Sequence, residues 1–181
     1  ASGNAGTRAF NNFVNPAYTS QIQNGAMENE LLRLYEATGE SGVFPQRADK
    51  SFTVGNEKKE LTGEEYVTYA TVKGRTAHEL LTDLVKSKEY QAMSDEDKVT
   101  AVSNVYKAAN QTAKAAISDY EPEAWIRNAR EAEKKYGIDQ ETYILLKTQT
   151  GGIESLKDKD GETIRDSKGL QIMELVYGCT G

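Results

Sequence analysis

The sequence predicts a mostly α protein: a single multi-helix, orthogonal bundle-like domain over residues 21–181, one small β-hairpin within it, and an irregular N-terminal arm over residues 1–20. Three observations carry that expectation. Apolar residues recur at spacings of three and four along most of the chain, the period of one helix face. Ser or Thr followed by an acid three residues later, and Gly after the last apolar residue, bracket those runs as helix starts and stops. One short β-prone run is folded about Gly55-Asn56, a turn dipeptide of the primed type.

In chain order, residues 1–8 are small and polar, and Phe10, Phe13 and Tyr18 then offer an aromatic patch that could dock an arm onto this chain or a partner. Gln21 to Ala37 reads as a helix. Leu31, Leu34, Tyr35 and Thr38 share its face, and Gly39 supplies the left-handed stop. A linker through Gly42, Phe44 and Pro45 leads to the hairpin over Ser51–Leu61. Thr62 with Glu65 forms a capping box, so a helix begins there. Gly74 interrupts it and Thr76 with Glu79 repeats the box, which points to a break near Gly74 with little change of direction. Leu80, Leu81, Leu84 and Val85 are the richest apolar cluster, and the short Ser87–Ser94 connection pairs this segment antiparallel with the next.

That next segment, Asp95 to Ser118, is the longest uninterrupted helical pattern and the expected central helix. Its stripe is Val99, Val102, Val105, Tyr106, Ala109, Ala113, Ala116 and Ile117. Ser94 caps it with Asp97 three positions on, and Asp95 and Glu96 sit at the positive end of its dipole. The turn Asp119–Pro122 opens a further helix with Trp125, Ala129, Ala132 and Tyr136 inward, stopped by Gly137. Asp139 caps a short helix through Tyr143, Leu145 and Leu146 to about Thr150. Gly151-Gly152 breaks the pattern, and Lys157–Asp166 is a polar loop or small hairpin. Ser167 then caps a last helix through Leu170, Ile172, Met173, Leu175 and Val176, apolar on more than one side and in need of cover.

Composition bounds the function. The 181 residues are enough for one sizeable core. A net charge of −6 with interleaved signs argues against nucleic acid as the main partner, because phosphate binding needs a concentrated positive field. No apolar run reaches the length of a membrane span, and no secretory pattern opens the chain. The single Cys179 has no partner for an internal disulfide. Because the chain opens on Ala1 and stops at Gly181 without a clear ending, it is expected to be a segment of something longer.

Candidate chemistry is sparse. His78-Glu79 begins like a zinc-protease helix, but position 82 is Thr and the chain has a single His, so the ligand set fails. Asp158-Lys-Asp160-Gly161 has the look of a calcium loop, yet its first and twelfth positions would be Leu156 and Ser167, which cannot serve as carboxylate ligands. Glu64-Glu65 and Glu121 with Glu123 lie where helix N-termini attract negative charge. Gly151-Gly152 lacks the Lys and Ser/Thr of a phosphate loop. Arg127, Arg130, Lys134 and Lys135 are interleaved with Glu123, Glu131 and Glu133 and read as a solvated face. No catalytic residue, cofactor or metal is therefore assigned.

A set of phrases carries a family resemblance: Asn29-Glu-Leu-Leu-Arg-Leu-Tyr-Glu-Ala-Thr-Gly39, the Phe-Pro and Asp-Lys-Ser-Phe-Thr-Val of the hairpin region, Leu61-Thr-Gly-Glu-Glu-Tyr66, Lys73-Gly-Arg-Thr-Ala77, Leu80-Leu, Ser94-Asp-Glu-Asp-Lys98, Val105-Tyr106 with Ala109-Asn110, Lys157-Asp-Lys-Asp-Gly and Ser167-Lys-Gly169. Over roughly residues 15 to 177 the chain resembles the C-terminal helical segment of the large polyvalent proteins of phages, prophages and related mobile elements of Firmicutes. The resemblance implies a helical, virion-associated or co-injected segment, located in the virion or the host bacterial cytoplasm. Its partners would be other protein subunits, phage proteins first among them, or a second copy of the chain. The expected contact residues are Phe10, Phe13, Tyr18, Ile172 and Val176. Two other functions fit the same sequence: a phage-delivered effector that binds a host protein, and a cell-wall-degrading enzyme using a buried glutamate among Glu64, Glu65 and Glu79.

Overall fold

The computed structural model describes residues 25–148, together with the backbone of two short strands at Ile164–Arg165 and Gln171–Ile172. Contacts divide the chain into two compact units, Ala1–Glu123 and Ala124–Gly181. The described residues are mostly helical and pack as a helical bundle, with one small antiparallel hairpin among the helices of the first unit.

In the first unit, helix α1 spans Gly25–Thr38 and buries Met27, Leu31 and Leu34. Gly39 takes φ +74° and donates its N–H to Tyr35 O at 2.7 Å, a left-handed cap that a side chain at this position would strain. Tyr35 is exposed on one side but lays its ring 5.2 Å from that of Phe44. A single 3-10 turn, Ser41–Val43, starts the linker, and Val43, Phe44 and Pro45 are all buried.

Strands β1 (Ser51–Val54) and β2 (Glu57–Glu60) pair antiparallel about Gly55, at φ +62°, with Phe52 opposite Lys59. Alternation puts Phe52 inward and Thr53 outward. A two-stranded hairpin is marginal by itself in water, and this one is held by an aromatic cluster. The Phe52 ring lies 5.5 Å from Tyr69 and meets Tyr120 edge-on at 6.2 Å, with Ala113 beneath and the Lys114 ammonium over both Phe52 and Tyr120 at 5.1 and 5.0 Å.

Helix α2 runs without interruption from Gly63 to Lys86. Its start is the expected capping box: Glu65 N–H donates to Thr62 Oγ1 at 3.1 Å, and Thr62 N–H to Glu65 Oε1 at 3.0 Å. Replacing Thr62 by alanine is expected to cost about 0.5–2 kcal/mol in denaturant unfolding and to fray the first turn in hydrogen exchange. The break expected at Gly74 does not occur. A helical glycine costs about 1 kcal/mol, and the face formed by Tyr69, Ala77, Leu80, Leu81 and Leu84, all buried, outweighs it. Thr76 accordingly sits inside the helix rather than capping a new one.

The connection after α2 is not a plain loop. Ser87 closes α2 by donating from Oγ to Leu84 O at 2.8 Å. It opens helix α3, Lys88–Gln91, by accepting from Tyr90 N–H at 3.2 Å. Helix α4, Asp95–Ile117, follows with Ser94 Oγ accepting from Asp97 N–H at 3.2 Å. It is the central helix of this unit, packing most extensively against α2 and also against α1. Ala101, Val102, Val105, Ala108, Ala109 and Ala113 form its buried stripe. Ala116, expected in that stripe, is exposed, while Ile117 beside it packs partly buried against the Phe52, Tyr69 and Ala113 cluster. Gln111 is buried too, and its amide clamps the chain beyond the helix, donating to Glu123 Oε2 and accepting from Glu123 N–H, both at 2.7 Å.

In the second unit, helix α5, Ala124–Tyr136, buries Trp125, Ala129 and Ala132 as expected and Ile126 and Asn128 besides, while Tyr136 is only half-buried. Gly137 ends it at φ +69°. Helix α6, Gln140–Lys147, follows Asp139, which holds the cap position without a side-chain bond. The helix buries Tyr143, Ile144, Leu145 and Leu146. Strand β3, Ile164–Arg165, pairs antiparallel with β4, Gln171–Ile172, with Ile164 opposite Ile172. The last helix expected from Ser167 is therefore corrected at its described positions: Gln171 and Ile172 are strand. Ile172 stands at helical spacing from Leu175 and Val176 in the sequence, but its backbone pairs with Ile164 in a ladder.

Candidate functional site

A groove of about 360 Å³ lies in the first unit. Three stretches far apart in sequence wall it: Gly42, Pro45 and Gln46 of the linker, Lys73, Gly74 and Ala77 of α2, and Ser103, Tyr106, Lys107, Ala109 and Asn110 of α4. Its floor is made of residues with little or no side chain, Gly74, Ala77 and Ala109, where the two long helices lie against each other.

Several polar groups on and beside its wall are held by specific bonds. Tyr106 donates its hydroxyl to Val43 O at 2.6 Å, which fixes the linker against α4, and burial of that end pushes the phenol well above its usual range. Tyr69 donates to Asn110 Oδ1, crossing from α2 to α4. Burial, then the charge of Asp49 and the nearby Tyr120 and Tyr66, push its hydroxyl up to about 12. Lys73 reaches the linker and donates Nζ to Gln46 O at 3.0 Å and Arg47 O at 3.5 Å. Burial lowers the Lys73 ammonium, the Asp49 carboxylate opposes that, and the Lys114 charge adds to it. Gln46 donates Nε2 to Phe44 O at 3.2 Å. Lys107 lies at the rim, 3.9 Å from Glu123 Oε2 and about half-exposed. No Asp or Glu lines the groove.

Phe10, Phe13, Tyr18 and Val176 lie outside the described residues, as does most of the calcium-like loop, and Ile172 is described only as a member of β4. Of the glutamates offered for an enzyme, Glu65 is committed to its cap. The Thr62 backbone bond, then Lys59 at 2.9 Å, hold its carboxyl below the usual range, opposite to what a general acid needs. Glu64 and Glu79 are exposed, and His78 is half-buried within α2. Among the described residues no three His, Cys, Asp or Glu side chains come together as a metal-holding group, and no helix is long and apolar enough to cross a membrane.

Compared with known protein families, curated proteins and solved structures, the chain has no match.

Lys73, Ser103, Lys107 and Asn110 are the site residues that sequence reading did not single out. The available signal was polar: Asn110 and Ser103 flank the apolar stripe of α4, and Lys73 precedes the only glycine inside α2 after its first residue.

Proposed function

We propose that the chain is a non-enzymatic structural or interaction module of a phage-derived protein, virion-associated or co-injected, which works through contacts with other protein subunits. The observation that carries this reading is where the perturbed ionisable groups spend their bonds. Glu65 caps α2, Glu30 and Asp95 share Arg33 between α1 and α4, and Tyr106 pins the linker. These bonds join one element to another or close a helix end, the use a scaffold makes of polar side chains. The phrases that resemble the large polyvalent proteins include the same residues, among them Leu61–Tyr66 and Ser94–Lys98. They supply the phage context and the proposed location in the virion or the host bacterial cytoplasm.

The test is quantitative mass spectrometry of gradient-purified particles from cells in which the encoding element is induced. Peptides of this chain are expected in the particles at a fixed ratio to other particle proteins. Peptides confined to the cell lysate would replace the module with an effector that binds a host protein.

A further inference from the structure

We infer that the groove between the linker, α2 and α4 binds a small monocarboxylate with an apolar body, a ligand independent of any protein partner. The argument begins with an inventory of donors and acceptors. Asn110 gives its Oδ1 to Tyr69, which leaves its amide N–H donors to the groove. Lys73 carries three N–H donors and has two backbone carbonyls as partners, so at least one donor remains. Ser103 and Lys107 add a hydroxyl and an ammonium at the α4 side. Tyr106, by contrast, spends its hydroxyl proton on the linker backbone, and Gln46 spends one of its two amide N–H donors there. The lining residues therefore offer donors and two ammonium groups and include no carboxylate; the nearest acids stand outside the lining, Glu123 at 3.9 Å from Lys107 and Asp49 acting on Lys73, and the wall complements an acceptor-only, negatively charged group.

Two features narrow the class. The remaining donors are few and split between two lysines and one amide, which suits the two oxygens of a carboxylate better than a phosphate, whose three terminal oxygens call for a denser set. The floor of Gly74, Ala77 and Ala109 with Pro45 opposite is apolar and smooth, and a volume near 360 Å³ stands at the small end of ligand pockets. Such a floor takes an alkyl or aryl body rather than a polyhydroxylated one, because hydroxyls there would lose water without gaining partners.

Octanoate is the probe, with octanamide as its uncharged counterpart, titrated into the full chain and followed by backbone amide NMR. Octanoate is expected to shift the amides of Gly74, Ala77, Ser103 and Asn110 saturably, and octanamide to bind about ten-fold more weakly. Lys73→Met keeps the aliphatic stem and should weaken octanoate about ten-fold. Lys107→Met, at the exposed rim, should weaken it about three-fold. Ser103→Trp, on an exposed helix position, fills the groove from its edge and should abolish the shifts while leaving the rest of the spectrum folded. Equal shifts with octanoate and octanamide, shifts centred elsewhere, or unchanged affinity in Lys107→Met and Lys73→Met together would overturn the assignment.

Discussion

Replacing Phe52 by alanine is expected to destabilise the first unit by about 3–5 kcal/mol, the range for truncating a buried aromatic residue. Its ring touches Tyr69 and Tyr120 and carries the Lys114 ammonium on its face, while the other inward residue of the hairpin, Val54, is only partly buried. No other side chain of β1 or β2 is fully buried, so the hairpin loses its anchor along with the methylene transfer energy. A domain of this size holds about 5–15 kcal/mol in all, so the loss is a large share of it. Hydrogen exchange should show the amides of Ser51–Val54 and Glu57–Glu60 opening first, with the middle of α2 and α4 still protected. Far-ultraviolet dichroism is the appropriate equilibrium probe, because the single tryptophan, Trp125, belongs to the second unit and its fluorescence reports on that. A loss below about 1 kcal/mol would mean that the ladder, rather than the aromatic cluster, holds the hairpin in place.

The parts of this fold that were legible in sequence are those decided within four residues. Thr62 with Glu65, Ser94 with Asp97, and the left-handed Gly39 and Gly137 are local geometry, and all four mark helix ends where expected. Gly55 fixes the hairpin turn in the same way. Elements decided by packing were less legible. The intrinsic cost of Gly74 is real but small, and whether a helix continues through it depends on the face it buries against a segment thirty residues away. Helix α3 was missed although Ser87 is a good cap, because four residues give too short a period to read. At Ile172 two spacings competed, and cross-strand pairing with Ile164 prevailed. The groove was not legible at all. It exists because residues 42–46, 73–77 and 103–110 converge, and nothing local in any of the three stretches announces the other two.

The second large effect concerns the junction of α1, α3 and α4. Tyr90 is almost fully buried and donates its hydroxyl to Glu30 Oε2 at 2.6 Å. Arg33 holds both oxygens of Glu30, at 3.0 and 2.8 Å, and reaches Asp95 Oδ1 at 3.0 Å. Burial and the bond to Glu30 push the Tyr90 hydroxyl far above its usual range. Burial also raises Glu30, but the bonds from Arg33 and Tyr90 with the charges of Arg33 and Lys98 outweigh it, so the carboxyl is held below 4.5. Asp95 is lowered as well, chiefly by the Arg33 bond. A carboxyl depressed in the folded state adds stability that is fully present above its unfolded pKa and is lost as pH falls through the folded value. Stability of the first unit should thus be flat on the neutral side and fall on acidification below about pH 4.5, the ordinary value for Glu30. Glu30→Leu removes the acceptor and leaves a buried hydroxyl unsatisfied, a loss of about 1–3 kcal/mol near neutral pH. Tyr90→Phe removes the donor while Glu30 keeps Arg33, and should lose about 1 kcal/mol. The double variant should be more stable than the sum of the two predicts, by roughly 1 kcal/mol, because the orphaned hydroxyl disappears with its ring oxygen. Urea unfolding of the four proteins at neutral and acid pH measures both quantities at once. Strict additivity, or an acid limb unchanged by Glu30→Leu, would show that this bonded cluster is packing without electrostatic coupling.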